Sequence, residues 1–204
     1  MNPPPTTSLL PRRVLMTADT VGGVWRYSLE LGAELIRRGV QVTIATLGAP
    51  PDADQRCEAE QTNIELYAGH YRLEWMDDPW ADVERAGDWL LALADVVNPD
   101  LVHLNGYVHG ALPWRRPHLI VALSCVCSWW EAVHGTSPPH LHPYRRRVRE
   151  GLRATDWIAA PSEAMLRALH RHYGPLPAGR VIHNGSAGGY QGMAKRPLVL
   201  AVGR

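Results

Sequence analysis

The chain has 204 residues, of which 46% are apolar and 20% are charged. This balance is typical of a globular protein with a buried core, and the length is that of about one domain with some chain to spare. The 21 basic and 20 acidic residues nearly cancel, which argues against a nucleic-acid-binding surface. Three cysteines are too few for a disulfide scaffold, and no segment has the roughly 20 apolar residues of a membrane span. We therefore expect a cytoplasmic protein without a transmembrane segment.

The first predicted elements are a strand, a helix and a second strand. The apolar run over residues 13–18 predicts a buried strand that ends in a turn with Gly22 and Gly23. Apolar residues then recur at helical spacing until basic residues and Gly39 end the helix. Residues 41–46 predict the second strand.

The alternation of strands and helices continues along the rest of the chain. Ser162 stands where its side chain would cap a helix. Apolar strands that alternate with helices form parallel sheets covered on both faces, with right-handed crossovers. The sequence thus predicts a doubly wound, Rossmann-like α/β domain. Its further strands are predicted at residues 63–68, 100–104, 118–123, 156–160 and 181–183, and its further helices at residues 80–97, 144–154 and 163–172.

Candidate binding residues follow several of these strands. In an open parallel sheet, ligands bind beyond the carboxyl ends of the strands, near the point where the strand order reverses. This rule predicts that residues distant in the sequence lie close together at the carboxyl edge of the sheet. The candidates are Asp19, Gly22 and Gly23 after the first strand, Asn105, Tyr107 and His109 after the fourth, Ser124 and Trp129 in a loop after the fifth, Ser162 after the sixth, and Asn184 after the seventh.

Two of these predictions have structural alternatives. Gly22 and Gly23 leave room for backbone N–H groups to meet an anion or a sugar hydroxyl, but a glycine pair also forms tight turns. The flat face of Trp129 suits a sugar ring, but tryptophans also pack loops onto a core. The residues alone do not choose between these functions and simple packing.

Common catalytic and cofactor motifs are missing from the sequence. The turn after the first strand lacks the G-x-G-x-x-G spacing of dinucleotide-binding folds, and no P-loop is present. Cys125 and Cys127 have no second pair at zinc spacing, and the ten histidines form no H-E-x-x-H motif. No G-x-S-x-G nucleophile motif occurs. We expect no metal and no bound cofactor, and no catalytic residue is identified.

Five segments of the chain share their order and spacing with a known family. They are a strand, glycine turn and helix end (residues 13–42), a Pro-Asp-hydrophobic-His segment (residues 99–106), a Pro-Ser turn (residues 160–165), an Asn-Gly turn (residues 181–185) and a final strand (residues 200–204). Together they resemble family-4 glycosyltransferases of the GT-B fold. The final strand is similar to the first strand of that fold's second domain.

The resemblance implies the acceptor-side, N-terminal domain of a retaining glycosyltransferase. Residues 1–12 would be a flexible tail, residues 13–185 the Rossmann-like domain, and residues 186–204 a linker and the first strand of a truncated second domain. Such enzymes transfer a sugar from a nucleotide-sugar donor to an acceptor hydroxyl, usually without a metal. Gly22 and Gly23 would face the donor phosphates. The nucleotide and the diphosphate-stabilising glutamates belong to the second domain, which is the expected packing partner, so we expect this chain alone to be inactive.

The sequence departs from the family pattern in two places. Leu123 stands at the end of the fifth predicted strand, where the family commonly has a histidine, and residues 186–189 lack the usual hydrophobic and acidic pair. These departures concern the activity more than the fold. The alternative to an enzyme domain is a non-catalytic Rossmann-like binding module or a degenerate glycosyltransferase paralogue. A hydrolase or epimerase on the same scaffold is a third reading, for which no nucleophile motif is present.

Overall fold

The computed structural model describes residues 10–136 and 141–185. All of the strands that it describes are parallel, in the order β3-β2-β1-β4-β5-β6-β7, so the order reverses between β1 and β4. This topology confirms the predicted doubly wound α/β fold. The elements are β1 (Arg13–Asp19), α1 (Gly23–Arg37), β2 (Gln41–Leu47), α2 (Ala53–Gln61), β3 (Glu65–Ala68), α3 (Trp80–Val97), β4 (Leu101–Leu104), a 3-10 helix (Val108–Ala111), β5 (His118–Val121), α4 (Val126–His134), α5 (His142–Ala154), β6 (Trp157–Ala160), α6 (Glu163–Tyr173) and β7 (Gly179–Val181).

Alternate residues of each strand supply the two sides of the core. On one face of the sheet, Met16 and Ile44 pack with α1 residues such as Leu29. On the other face, Leu15 packs with Leu90 of α3, and the same face continues through β4, β5 and β6 to α5 and α6. Successive side chains of β1 and β2 point to opposite faces of the sheet, and both faces are buried there. An apolar run therefore marks these strands in the sequence, and not an alternation of apolar and polar residues.

One part of the sheet is not covered by the described residues. Leu119 of β5 and Trp157 of β6 are register partners. The residues that follow them, Ile120 and Ile158, face the core beneath α5 and α6, so Leu119 and Trp157 lie on the opposite face of the sheet. Trp157 is 59% exposed, and Ile182, just after β7, is 62% exposed. The face of β5, β6 and β7 opposite α5 and α6 therefore presents apolar side chains to the outside; we call it the open sheet face.

Among the described residues, none of the helices combines the length and the apolar character that a membrane span requires.

Two helices of the structure were not predicted. Helix α2 buries only Ala59, so it lacks an apolar stripe, although Asp52 and Gln55 form a capping box at its start. The loop predicted around Trp129 was wrong, because residues 126–134 form helix α4. Cys125 begins that helix by accepting a hydrogen bond from the Ser128 N–H, and a cysteine is a weak start signal in a sequence.

Several predicted boundaries were also wrong by a few residues. Strand β3 begins at Glu65, two residues late, because Asn63 adopts a left-handed conformation with φ of 56°. Strand β5 ends at Val121, and helix α5 begins at His142. Strand β7 covers residues 179–181 and not residues 181–183. Of the predicted tail over residues 1–12, residues 1–9 lie outside the described residues, and so do the predicted linker and strand over residues 186–204.

Candidate functional site

A crevice with a volume of about 80 Å³ lies at the carboxyl edge of the sheet, between the ends of β1 and β4. This is the point at which the strand order reverses, where parallel sheets bind ligands. Larger grooves of about 470 and 560 Å³ lie elsewhere, but none of the predicted site residues lines them. Five of those residues line the crevice instead: Asp19, Asn105, Tyr107, His109 and Ser124.

The N terminus of α1 lies beside this crevice and is uncapped. Gly22 precedes the helix with φ of 74° and ψ of −138°, a conformation that favours glycine, and no side chain caps the helix. A Cβ atom built on Gly23 would meet no heavy atom within 4 Å. The first turn contains no acidic residue. Free N–H groups and the helix dipole make this end of α1 suitable for an anionic ligand.

Asp19 closes β1 at the edge of the crevice. Its Oδ1 atom accepts a hydrogen bond of 3.0 Å from the N–H of Val21. Burial raises the pKa of this carboxyl above its ordinary value, although that hydrogen bond acts in the opposite direction. Asp19 therefore holds the chain as it turns toward α1, and it adds a hydrogen-bond acceptor to the crevice wall.

Asn105 joins the two strands that border the crevice. Its Nδ2 atom donates to the main-chain oxygen of Thr17 at 2.7 Å and to the Ser28 hydroxyl at 3.1 Å. Its Oδ1 atom lies 3.2 Å from Nε2 of His103, which donates to it. Each polar atom of the Asn105 side chain is thus engaged within the protein, and its role in the described structure is to hold the site together.

Tyr107 and Ser124 connect the loops that follow β4 and β5. Tyr107 is buried, and its hydroxyl donates to the main-chain oxygen of Ser124. Burial raises the pKa of this hydroxyl well above its ordinary value, so it remains a neutral donor. Leu123 lies next to this contact and can neither donate a hydrogen bond nor carry charge.

His109 lies in the 3-10 helix at the base of the crevice. Its Nε2 atom donates to the main-chain oxygen of Val83 at 3.0 Å. Burial lowers the pKa of the imidazole, so the neutral ring is favoured. This contact anchors the 3-10 helix to α3, and His109 is one of the residues that line the crevice.

Five predicted site residues do not line the crevice: Gly22 and Gly23, which lie beside it at the start of α1, and three residues that lie elsewhere. Trp129 lies on α4, is 59% exposed and contacts Trp130 edge to face. Ser162 caps α6, as predicted, and its hydroxyl accepts a hydrogen bond of 3.2 Å from the Met165 N–H. Asn184 is exposed beyond β7. The structure accordingly brings together the residues after β1, β4 and β5, and not those after β6 and β7.

Sequence reasoning missed Glu74, in the loop after β3. Its carboxylate lines the crevice and accepts hydrogen bonds from the N–H groups of Tyr107, at 3.1 Å, and Val108, at 2.9 Å. Burial raises the pKa of this carboxyl. No motif marks Glu74, but β3 also ends at the carboxyl edge, so the loop that follows it belongs among the candidates.

Metal ligands do not cluster in the described part of the chain. Within residues 10–136 and 141–185, no group of three or more histidine, cysteine, aspartate or glutamate side chains could hold a metal ion. The polar residues that line the crevice include Asp19, Arg72, Glu74, Asn105, Tyr107, His109 and Ser124. Such a set contains both hydrogen-bond donors and acceptors, as a hydroxyl-bearing ligand requires.

Solved structures with the same fold include several sugar-handling proteins. A glycosyltransferase from Rickettsia africae is 14% identical, with a TM-score of 0.57 over 84% of this chain and 42% of its own. Anabaena HepE, in a complex with UDP and glucose, is 16% identical, with a TM-score of 0.60 over 87% of this chain and 45% of its own. UDP-GlcNAc 2-epimerase from Neisseria meningitidis is 12% identical, with a TM-score of 0.51 over 84% and 47%.

These likenesses show the fold, and this chain spans about half the length of the proteins that share it. A comparison with curated protein sequences found no match. The family model of Glycosyltransferase Family 4 matches residues 21–186, which contain the start of α1, the open sheet face and the crevice lining except residues 17–19. The chain therefore belongs to glycosyltransferase family 4.

Proposed function

We propose that this chain is the acceptor-side domain of a retaining glycosyltransferase, which transfers a sugar from a nucleotide-sugar donor to an acceptor hydroxyl. The observation that carries the proposal is the uncapped N terminus of α1, which lies beside the switch-point crevice in a family-4 chain. An uncapped helix N terminus attracts phosphate. The crevice beside it offers carboxylates and carbonyls that accept hydrogen bonds from sugar hydroxyls.

In this proposal, the α1 N terminus stabilises charge that develops on the donor. Gly22 and Gly23 allow a phosphate to approach the backbone, and the dipole of the 15-residue helix α1 favours negative charge there. Anabaena HepE is in complex with UDP and glucose, which makes UDP-glucose a suitable test donor. Such fixed dipoles contribute most to catalysis where water is excluded.

The open sheet face supports a second domain as the packing partner. Parallel sheets are normally covered on both faces, yet Trp157 and Ile182 are exposed on this face of the described chain. Exposed apolar patches commonly mark interaction surfaces. Relatives of the same fold are about twice as long as the matched region. We propose that a further domain packs here and supplies the nucleotide site.

The proposal includes inactivity of this chain by itself. One domain would form half of a catalytic cleft, so water would reach the donor phosphates and the departing diphosphate would lack its partner charges. Leu123 also favours the alternative of a non-catalytic module, because leucine cannot supply the hydrogen bond that a histidine at that place would offer.

Two experiments test these proposals. The chain is first incubated with UDP-glucose and simple sugar acceptors, and sugar transfer is followed by mass spectrometry. We expect UDP-glucose binding, seen as amide shifts at Gly22 and Gly23, with little or no transfer. Strong transfer would contradict inactivity, and binding without shifts at these glycines would contradict the donor site.

In the second experiment, the reading frame that encodes Arg204 is sequenced onward, and whatever it encodes is expressed with this chain. Transfer by that longer product, with retained anomeric configuration, is the result we expect. A product that binds UDP-glucose but transfers nothing, even as the Leu123→His variant, would instead favour the non-catalytic module.

A further inference from the structure

Two carboxylates line the crevice: Asp19 accepts a hydrogen bond from the Val21 N–H, at the turn into α1, whereas Glu74 lies at the start of the 3-10 helix. Glu74 is half-buried in the crevice wall, and its partners are the N–H groups of Tyr107 and Val108 at the start of the 3-10 helix. An ionised carboxylate has about four acceptor positions on its two oxygens. Two N–H donors occupy about half of them, so Glu74 can accept further hydrogen bonds.

No cation neutralises this carboxylate within the described residues. The arginine side chain that also lines the crevice, Arg72, donates instead to the main-chain oxygen of Asp77 at 2.9 Å. Desolvation raises the pKa of the Glu74 carboxyl, although the two N–H groups act in the opposite direction. A half-buried carboxylate without a cation favours ligand groups that donate hydrogen bonds and disfavours anions.

One side of the Glu74 carboxylate is open because residue 106 is glycine. A Cβ atom at Gly106 would lie 3.4 Å from Oε2 of Glu74, in contact with it. The backbone at Gly106 has an ordinary φ, so the conformation does not require glycine there. The missing side chain thus leaves space beside the oxygen that a ligand group can occupy.

The crevice therefore has two chemically different regions. The N terminus of α1 favours anions, whereas the Glu74 carboxylate lies on the other side, at the start of the 3-10 helix. A ligand that carried negative charge near Glu74 would be repelled by it, while a hydroxyl group there would donate to it. This polarity separates a phosphate-binding region from a hydroxyl-binding region.

We propose that Glu74 is the specificity-determining residue for the acceptor: its carboxylate accepts a hydrogen bond from a hydroxyl of a neutral sugar and excludes sugars that carry a phosphate at that position. This inference rests on the proposed function, because it assigns the acceptor to the crevice. It names the acceptor class as neutral hydroxyl-rich sugars.

The test uses the 204-residue chain labelled with ¹⁵N and compares matched neutral and anionic sugars. D-glucose, D-galactose and D-mannose are titrated separately, each against its 6-phosphate, and the amide signals of Tyr107 and Val108 are followed. We expect at least one neutral sugar to shift both amides, and its 6-phosphate to bind about tenfold or more weakly, because the phosphate would bring like charge to the Glu74 carboxylate. Equal binding of the two sugars, stronger binding of the phosphate, or no shift with any sugar would overturn the proposal.

Variants separate the role of charge from that of structure. Glu74→Gln keeps the shape but removes the charge, so discrimination against the 6-phosphate should fall to about threefold or less. Glu60→Gln, on the exposed surface of α2, is the matched control and should keep full discrimination. If Glu74→Gln unfolds, Gly106→Ala provides the second variant: it should weaken binding of the neutral sugar by filling the space beside Oε2. Unchanged discrimination in Glu74→Gln, or unchanged affinity in Gly106→Ala, would overturn the proposal.

The outcome is distinguishable from that of the proposed function. Sugar binding at Tyr107 and Val108 requires neither donor nor turnover. Changes in the amide signals of Gly22 and Gly23 on addition of UDP-glucose test the donor site separately. A chain that binds neutral sugars at Glu74 but never binds UDP-glucose would therefore support the specificity and contradict the donor-phosphate site at the α1 N terminus.

Discussion

Asn105 donates a 2.7 Å hydrogen bond to the main-chain oxygen of Thr17, across the position at which the strand order reverses. The same amide donates to the Ser28 hydroxyl of α1, and the Asn105 N–H donates to the Thr17 hydroxyl at 3.0 Å. One side chain therefore holds β1, α1 and the loop after β4 together. The shape of the crevice depends on this contact, because the connections that follow β1 and β4 leave the sheet on opposite faces at the switch point.

Replacing Asn105 by alanine is expected to lower the free energy of unfolding by about 2–3 kcal/mol, because a buried hydroxyl and carbonyl lose their donor. Urea unfolding monitored by circular dichroism measures the change. Asp88→Ala, on the exposed face of α3, is the control and should change stability by less than about 0.5 kcal/mol. Equal stability of Asn105→Ala and the wild type would contradict the role of Asn105 in joining the strands.

The two glycines before α1 should differ in their effect on stability. Gly22→Ala places a side chain at φ of 74° and should destabilise the protein by about 1–2 kcal/mol. Gly23→Ala meets no heavy atom and lies in a helix, so its stability should be unchanged or slightly higher. Urea unfolding of both variants gives the comparison.

The same pair tests the α1 N terminus as a phosphate site. A methyl group at position 23 projects into open space beside the helix N–H groups, so Gly23→Ala should bind UDP-glucose about tenfold more weakly despite its normal stability. Isothermal titration calorimetry measures the affinity. Unchanged affinity in Gly23→Ala would contradict phosphate binding at this helix end.

The buried His103 should make stability depend on pH. Burial lowers its pKa from the ordinary 6.5 to about 4, although its hydrogen bond with Asn105 acts in the opposite direction. The unfolded chain therefore binds a proton below about pH 6.5 that the folded protein binds only near pH 4. The contribution of neutral His103 to the free energy of unfolding is therefore complete above the unfolded pKa of 6.5, and it is lost as the pH falls from there toward 4.

Comparing wild type with His103→Gln isolates that effect from other titrating groups, such as His109 and His172, which both proteins retain. Between about pH 7.5 and pH 4.5 the wild type should lose about 2–3 kcal/mol more of its free energy of unfolding than the variant does. Urea unfolding at both pH values measures the difference. Equal losses in the two proteins would show that His103 is not held neutral by burial.

The open sheet face should promote association of the 204-residue chain with itself. Replacing Trp157 and Ile182 by serine removes two exposed apolar side chains, so it should reduce self-association and change the free energy of unfolding little. Trp129→Ser is a matched control, because Trp129 is also 59% exposed but lies on α4. Sedimentation velocity measures the association. A larger decrease in Trp129→Ser than in the double variant would contradict the assignment of this face.

Parts of the fold and site could be predicted from the sequence because their causes are local. The apolar runs of β1 and β2, the cap at Ser162 and the glycine turn before α1 each depend on neighbouring residues, and the structure contains all of them. The rule that strands end at a common edge brought Asp19, Asn105 and Tyr107 to one crevice. Helices α2 and α4 were missed because one buries a single residue and the other begins at a cysteine.

The sequence by itself determined the α/β class, the order of most elements and the edge at which a ligand would bind. These features depend on the spacing of apolar residues and on turn residues, which a short segment of the sequence contains. Only the tertiary structure decided what each polar side chain does there. The Asn105 amide donates its hydrogen bonds to Thr17 and Ser28, which are 88 and 77 residues away in the sequence. The Glu74 carboxylate is held in the crevice wall by backbone N–H groups that are 33 and 34 residues away. Such contacts depend on how the strands are ordered in the sheet, and no local pattern records that order.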